Sequence, residues 1–188
     1  MVLRSDRPHQ PASVDCRRQH GHSPSLPLKR AGNALGCGVA FTIPHLSLQV
    51  PEDSLAEYRG RWPETPMRTS THYANHETPR AAYAAMITRM DRDIGRLMDR
   101  LRALGLDDHT LVLFGSDNGA VFALSGTDPG FFRSNGSLRG YKQDLYEGGI
   151  RIPFLARWPG RIPPGTTSDF IGAYWDILPT LCDVAGMP

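Results

Sequence analysis

Two neighbouring stretches decide the fold class: TPRAAYAAMITRMDRDIGRLMDRLRALG over residues 78–105 and TLVLFGSDNG over residues 110–119. In the first, apolar residues recur every three or four positions, as on one face of an α-helix. Thr78 suits the N-cap, Pro79 suits the first helical position, and Gly105 suits the C-terminal stop. The second opens with a continuous apolar run, which is typical of a strand covered on both faces. A helix followed by a buried strand predicts an α/β fold.

Weaker patterns predict the remaining elements. Residues 39–43 are a short apolar run that ends at Pro44, a pattern that favours a buried strand. Four further elements are expected: an ordered surface loop over 51–78, a Gly- and Ser-rich loop over 125–140, a strand within 150–158, and a last short helix capped by Asp176 and closed by Gly186.

The composition of the chain changes near residue 38. Residues 1–38 carry six basic and two acidic side chains, four prolines and no periodic apolar pattern. This composition predicts a disordered or unrelated leader, with a basic arm for an acidic partner as the alternative. A secretory signal is not expected, because an apolar segment of about 7–15 residues is missing there. Residues 39–188 are expected to form one domain, part of a larger fold.

Composition also excludes several protein classes. The 188 residues are 40% hydrophobic and 21% charged, with a net charge of +2. No transmembrane helix is expected, because no run of about 18 apolar residues occurs. The net charge is too small to indicate a nucleic-acid partner. Cys16, Cys37 and Cys182 lack CxxC spacing, so neither a disulfide framework nor a zinc site is indicated.

Four residues are candidates for chemistry. Asp117 and Asn118 follow the strand at 110–114, at the edge where open α/β sheets bind ligands. Their oxygens suit a hard cation such as Ca²⁺ or Mg²⁺, and an ordinary turn is the alternative. Lys142 could neutralise an oxygen of a sulfate or phosphate, or be a solvated loop lysine. His45 could donate to an anion or act as a general acid, or be merely structural.

Seven short segments occur in a characteristic order: FTIPH (41–45), YAAMI (83–87), DRDIG (91–95), SDNG (116–119), LRGYK (138–142), YEGGIRIP (146–153) and WDILPTL (175–181). This series resembles the arylsulfatase family of the alkaline-phosphatase-like superfamily, over roughly residues 39–188. The resemblance implies an α/β fold with a partial alkaline-phosphatase-like mixed sheet flanked by helices. It also implies hydrolysis of aryl or carbohydrate sulfate esters, assisted by bound Ca²⁺.

The resemblance gives each candidate residue a role. Asp117 and Asn118 match two oxygen ligands of Ca²⁺, and Lys142 matches the lysine that contacts the sulfate. His45 matches the histidine that contacts the sulfate or helps the leaving group to depart. The implied ligand is a small sulfate ester or a sulfated glycan. Two alternatives stay open: a phosphate or phosphonate ester hydrolase of the same superfamily, and a non-catalytic protein that binds anions or glycans.

The sequence departs from the family at the nucleophile. Family enzymes mature a cysteine within Cys-x-Pro-Ser/Ala-x-Arg to formylglycine, and none of the three cysteines stands in such a motif. The paired aspartates that complete the family's metal site, and the first strands of its sheet, are also absent. The resemblance therefore predicts a C-terminal-side part of a sulfatase that is inactive by itself, because a nucleophile supplies the covalent route.

Overall fold

The computed structural model describes residues 2–4, 29–31, 34–69, 72–122 and 128–186. The chain forms two compact units. Unit 1 comprises residues 1–40, 98–114 and 154–188, and unit 2 comprises residues 41–97 and 115–153. All four candidate site residues belong to unit 2. Among the described residues, no helix is long and apolar enough to cross a membrane.

Unit 1 is built around a five-stranded sheet in the order β2-β3-β1-β4-β5. Strand β1 pairs antiparallel with both β3 and β4, so that Val2 lies opposite Cys37 on one side and Val112 on the other. Strands β2 and β3 are also antiparallel. The strands are β1 (Val2–Arg4), β2 (Lys29–Ala31), β3 (Ala34–Cys37), β4 (Thr110–Gly115) and β5 (Phe154–Arg157).

The structure confirms the strands expected over 110–114 and within 150–158, and corrects a third. The strand expected over 39–43 is wrong, because the pairing residues are 34–37. The chain turns directly after this run, since Pro44 has no N–H to donate to a ladder and the His45 N–H bonds to the Thr42 carbonyl at 3.0 Å. The strand expected within 150–158 occupies residues 154–157.

The predicted leader, residues 1–38, contains strands β1, β2 and β3. Residues 1, 5–28 and 32–33 of this segment lie outside the described residues. The division of the chain at residue 38, into a disordered or unrelated leader and a domain, therefore stays a prediction.

Helix α2 (Pro79–Ala103) confirms the clearest signal in the sequence. Thr78 takes the N-cap position and accepts the first intrahelical bond from Ala82 at 3.0 Å. The Arg80 and Ala81 N–H groups instead bond to the Glu64 carboxylate, at 3.0 and 2.8 Å. This carboxylate neutralises the positive end of the helix dipole from 16 residues upstream.

The C-terminal end of α2 is a Schellman motif, in which Gly105 adopts a left-handed conformation at φ +63°. The Gly105 N–H bonds to the Arg102 carbonyl at 2.9 Å, and the Leu106 N–H bonds to the Leu101 carbonyl at 2.9 Å. The predicted helix stop at Gly105 is therefore confirmed by its hydrogen bonds.

The remaining helices are short, apart from α5. Within the predicted loops, α1 occupies part of 51–78 and α3 part of 125–140. Helix α5 begins before Asp176, whose carboxylate accepts a hydrogen bond from the Ala173 N–H at 2.7 Å. In the described residues these α-helices are α1 (Glu52–Ala56), α3 (Pro129–Phe132), α4 (Glu147–Ile150) and α5 (Tyr174–Val184).

Unit 2 has its own hydrophobic core. The N-terminal half of α2 packs against residues 43–67, and Tyr58 reinforces this contact by a 2.5 Å hydrogen bond to Thr88. The segment that carries His45 is thereby anchored to the helix. The buried core residues are Leu48, Leu55, Met67, Ala81, Ala82 and Met86.

Candidate active site

The first part of the site is the turn at the end of β4. The Ser116 hydroxyl donates to the Asn118 carbonyl at 2.9 Å, and the Asn118 amide nitrogen donates to the Gly119 carbonyl at 2.8 Å. Asp117 is exposed, whereas Gly119 is buried. These bonds fold residues 116–119 into a bend at the end of β4, with the Asp117 carboxylate exposed and Asn118 next to it.

This turn is locked to two other glycine-rich segments by backbone hydrogen bonds. The Gly119 N–H donates to the Gly149 carbonyl at 2.9 Å, and the Gly148 N–H donates to the Arg139 carbonyl at 2.7 Å. The Lys142 N–H donates to the Ala120 carbonyl at 2.7 Å. We call the three segments, residues 116–120, 138–142 and 147–149, the glycine cluster.

Only glycine fits at the contacts of this cluster. A Cβ on Gly119 would lie 2.0 Å from the Gly148 carbonyl oxygen, and a Cβ on Gly148 would lie 2.2 Å from the Gly140 carbonyl oxygen. A Cβ on Gly149 would lie 2.2 Å from the Asp144 carbonyl oxygen. Because any side chain would force these backbones apart, the glycines let the segment of Lys142 lie directly beside the turn of Asp117 and Asn118.

Lys142 is half-buried, and the chain around it is tightly folded. Asp144 accepts a hydrogen bond from the Tyr141 N–H at 2.9 Å, and its own N–H bonds to the Tyr141 carbonyl at 2.8 Å. Gln143, between them, adopts a positive φ of 81°. These bonds hold the backbone of Lys142 in a fixed loop and so limit where its ammonium group can reach.

Asn135 contributes to the site and was not identified from the sequence, where it fell within the predicted loop 125–140. Its side-chain oxygen accepts from the Ala120 N–H at 3.2 Å, and its side-chain nitrogen donates to the Gly140 carbonyl at 2.5 Å. An asparagine between two glycine-rich segments is the one signal that could have indicated it, because its amide both donates and accepts.

An ion pair anchors the chain that leads to Asn135. Arg80 donates to the Asp128 carboxylate from Nε at 2.9 Å and from Nη2 at 2.5 Å. Its guanidinium also lies over the Phe131 ring, 4.2 Å from the centroid. The hydrogen bonds from Arg80, followed by that from the Phe131 N–H, hold the pKa of Asp128 below its usual value.

His45 is exposed and is placed by local contacts. Its Nδ1 donates to the Leu46 carbonyl at 2.8 Å, and its ring centroid lies 6.2 Å from that of Tyr73. These contacts do not join it to the glycine cluster. The structure thus brings Lys142 beside the Asp117–Asn118 turn, while the convergence of His45 with them stays a prediction.

The Asp117–Asn118 turn offers two side-chain oxygen ligands to a cation. Asp117 offers a carboxylate and Asn118 an amide oxygen, both of the hard type that Ca²⁺ prefers. Within the described part of the chain, no three His, Cys, Asp or Glu side chains cluster so as to hold a metal ion. Since Ca²⁺ takes about 6–8 oxygens, these two residues fit two positions of its shell and do not complete a site.

Comparisons with curated proteins point to one family. N-acetylgalactosamine-6-sulfatase from Canis lupus familiaris is 36% identical over 57% of this chain and 20% of its own length. Steryl-sulfatase from Rattus norvegicus is 38% identical over 62% of this chain and 21% of its own length. Arylsulfatase A from Homo sapiens is 39% identical over 58% and 20%, respectively. The chain thus spans about a fifth of the length of the curated relatives it matches.

The solved structures and the family model agree with these relatives. The crystal structure of Ps i-CgsB in complex with k-i-k-neocarrahexaose has a TM-score of 0.61 and 29% identity, covering 78% of this chain and 28% of that one. This likeness confirms the predicted α/β class and its partial alkaline-phosphatase-like fold. The sulfatase family model matches residues 38–187, which is most of the chain, and the chain therefore belongs to the sulfatase family.

Proposed function

We propose that this chain binds the sulfate group of a sulfate ester beside the glycine cluster. Lys142 and His45 contact the sulfate, and Asp117 and Asn118 supply two oxygen ligands to Ca²⁺. The observation that carries the proposal is the hydrogen bond from the Lys142 N–H to the Ala120 carbonyl, at 2.7 Å. It fixes the lysine beside the turn that holds both oxygen donors.

Each of this chain's residues has a physical role in such a site. The Lys142 ammonium is a compact charge that neutralises sulfate oxygens, and its partial burial limits screening by water. The Nδ1 of His45 is engaged with the Leu46 carbonyl, so Nε2 is the ring atom left to contact an ester oxygen. His45 donates from Nε2 when its ring is protonated, and in that form it can assist the leaving group.

We expect this chain to bind Ca²⁺ weakly. When bound, the ion supplies positive charge that stabilises the sulfate oxygens. Affinity for a hard cation rises with the number and charge of its ligands, and Asp117 is the one carboxylate in the turn. Other ligands must complete the shell.

We infer that this chain does not hydrolyse the ester by itself. No cysteine stands in the family's maturation motif, so the formylglycine nucleophile cannot form. The names of the relatives include both carbohydrate and steryl sulfatases, which supports sulfate esters as a class without selecting one. A non-catalytic role in binding a sulfated glycan is the second candidate, favoured by this missing nucleophile.

Calorimetric titration with inorganic sulfate tests the binding proposal, with and without Ca²⁺. We expect Lys142→Ala to weaken sulfate binding about tenfold or more, the effect of losing one charged hydrogen bond. Arg96→Ala is the matched control, because it removes an exposed cation on α2 within the same unit. Equal losses in both variants would reject Lys142 as a specific contact. Tighter binding of inorganic phosphate than of sulfate would favour the phosphate ester alternative.

A sulfatase assay tests the inferred lack of turnover. At saturating Ca²⁺, we expect the chain to hydrolyse an aryl sulfate no faster than Lys142→Ala does. Turnover that disappears in Lys142→Ala would contradict the inference and show that some other group attacks sulfur.

A further inference from the structure

Asn135 occupies a central place between the segments of the glycine cluster. Its side-chain oxygen bonds to the Ala120 N–H at 3.2 Å, on the segment of Asp117 and Asn118. Its side-chain nitrogen bonds to the Gly140 carbonyl at 2.5 Å, on the segment of Lys142. The same nitrogen packs against the third segment, since a Cβ on Gly148 would lie 2.8 Å from it.

We propose that Asn135 is a positioning residue that fixes the distance between the oxygen donors of the Asp117–Asn118 turn and the ammonium of Lys142. This inference rests on the proposed function, because it deepens the account of the same anion site. Asn135 itself does not touch the sulfate; it acts by holding the two segments that do.

The geometry favours an amide side chain at position 135, between the Ala120 N–H and the Gly140 carbonyl. Ala120 receives a hydrogen bond at its carbonyl from Lys142 and gives one from its N–H to Asn135, so both backbone groups of one residue are engaged. A carboxylate at position 135 would keep the acceptor for Ala120 but would set an anion against the Gly140 carbonyl. An alanine would lose both bonds. The amide is the short side chain that supplies one donor and one acceptor together.

The chain before Asn135 is held independently of the cluster. Asp128 is bound by Arg80 from α2, and Phe132 packs its ring 5.2 Å from that of Tyr83. Asn135 therefore extends from an anchored segment into the cluster. Because this segment is fixed to the core of unit 2, the Asn135 side chain holds the glycine cluster at a defined position relative to that core.

The test compares Asn135→Ala and Asn135→Asp with Asn75→Ala in the full chain. Asn75 is the matched control, because its side chain also accepts from a backbone N–H, that of Thr69 at 2.9 Å, in an exposed loop of the same unit. Three quantities are measured: the affinity for inorganic sulfate, the NMR signals and hydrogen exchange of the Ala120 and Lys142 amides, and the urea midpoint of unfolding.

We expect both Asn135 variants to bind sulfate about tenfold more weakly, and Asn75→Ala to bind it as the unchanged chain does. In Asn135→Ala, the Ala120 amide exchanges faster and its signal shifts. In Asn135→Asp, that amide keeps its protection and the Lys142 amide loses part of its own. This split is a signature that general destabilisation does not produce.

Two results would overturn the positioning role. The first is sulfate affinity in the Asn135 variants that matches Asn75→Ala. The second is loss of exchange protection throughout α2 in both Asn135 variants, which would assign Asn135 to the stability of unit 2 as a whole. If the unchanged chain binds no sulfate, the proposed function fails, whereas the amide signals of Ala120 and Lys142 still decide whether Asn135 joins the two segments.

Discussion

The core around α2 in unit 2 differs from the β5–α5 region of unit 1 in how it holds its large apolar side chains. In unit 2, the core around α2 buries residues such as Leu48 and Met86 almost completely. In unit 1, strand β5 and helix α5 expose large apolar side chains to solvent, namely Phe154, Leu155, Tyr174, Trp175 and Leu178. Apolar burial is the main stabilising contribution to a fold, at about 25 cal/mol per Å². The candidate site therefore lies in the unit that has a well-buried core of its own.

The largest expected effect comes from emptying that core. Met86→Ala should lower the free energy of unfolding by about 2–5 kcal/mol, because the side chain is 1% exposed and its loss leaves a cavity. Ile87→Ala is the matched control on the next residue of α2, where the side chain is 39% exposed. Urea unfolding followed by circular dichroism measures both. Equal losses would show that the core of unit 2 is not packed as described.

The second-largest expected effect comes from adding a side chain within the glycine cluster. Gly148→Ala should destabilise unit 2 by about 1–3 kcal/mol, because its Cβ would overlap the Gly140 carbonyl oxygen. It should also weaken sulfate binding by separating the segments of the cluster. Gly95→Ala is expected to change stability in the opposite direction. Apart from its chain neighbours and the adjacent backbone of its own helix, no atom lies within 4 Å of a new Cβ at this helical glycine, so alanine should stabilise the chain by up to about 1 kcal/mol. Stabilisation by both substitutions would contradict the close approach at Gly148.

These two predictions separate what the sequence could reveal from what it could not. The bounds of α2 and β4 follow from local signals: periodic apolar residues, Pro79 at one end of the helix, and Gly105 at the other. The strand expected over 39–43 is wrong, because an apolar run does not say which residues find pairing partners. Strand β3 pairs with β2, which lies next to it in the chain, and with β1, over 30 residues upstream.

The site shows the same division between local and distant information. Motif order indicated Asp117, Asn118 and Lys142 as site residues. Asn135 lay within a predicted loop, and its role depends on two backbone groups in separate segments. Glu64 likewise reaches the start of α2 from a segment without periodicity. Hydrogen bonds between segments that are far apart in the chain produce no periodic pattern of residues from which they could be predicted.

A third, smaller effect is the loss of folding stability at acidic pH, which depends on one ion pair in each unit. Asp128 bonds to Arg80 in unit 2, and Asp107 bonds to both terminal nitrogens of Arg157 in unit 1 at 2.7 Å. The hydrogen bonds from these arginines lower the pKa of each carboxyl. Folded carboxyls with depressed pKa values stabilise the chain above the unfolded value of about 4, and this contribution is lost as pH falls through the folded pKa.

Urea unfolding at neutral and acidic pH measures this contribution. Asp128→Asn and Asp107→Asn should each lose about 1 kcal/mol or less at neutral pH, since both pairs are partly solvated. Each variant should then lose less stability than the unchanged chain when pH falls below about 4. Variants that follow the unchanged chain at every pH would show that neither pair persists in solution.

The smallest expected effect is that of Leu178→Ala, which tests the exposed apolar face of unit 1 directly. Leu178 and Leu181 lie one turn apart on α5, with side chains 68% and 5% exposed. Leu178→Ala should change the free energy of unfolding by no more than about 0.5 kcal/mol, as expected at a surface position, whereas Leu181→Ala should lower it by about 2–5 kcal/mol. Both substitutions remove the same atoms from the same type of residue in one helix. The difference between their changes in unfolding free energy therefore reports the difference in burial. If Leu178→Ala were as costly as Leu181→Ala, this face of α5 would be covered in solution, and the contrast between the α2 core and the β5–α5 region would not hold.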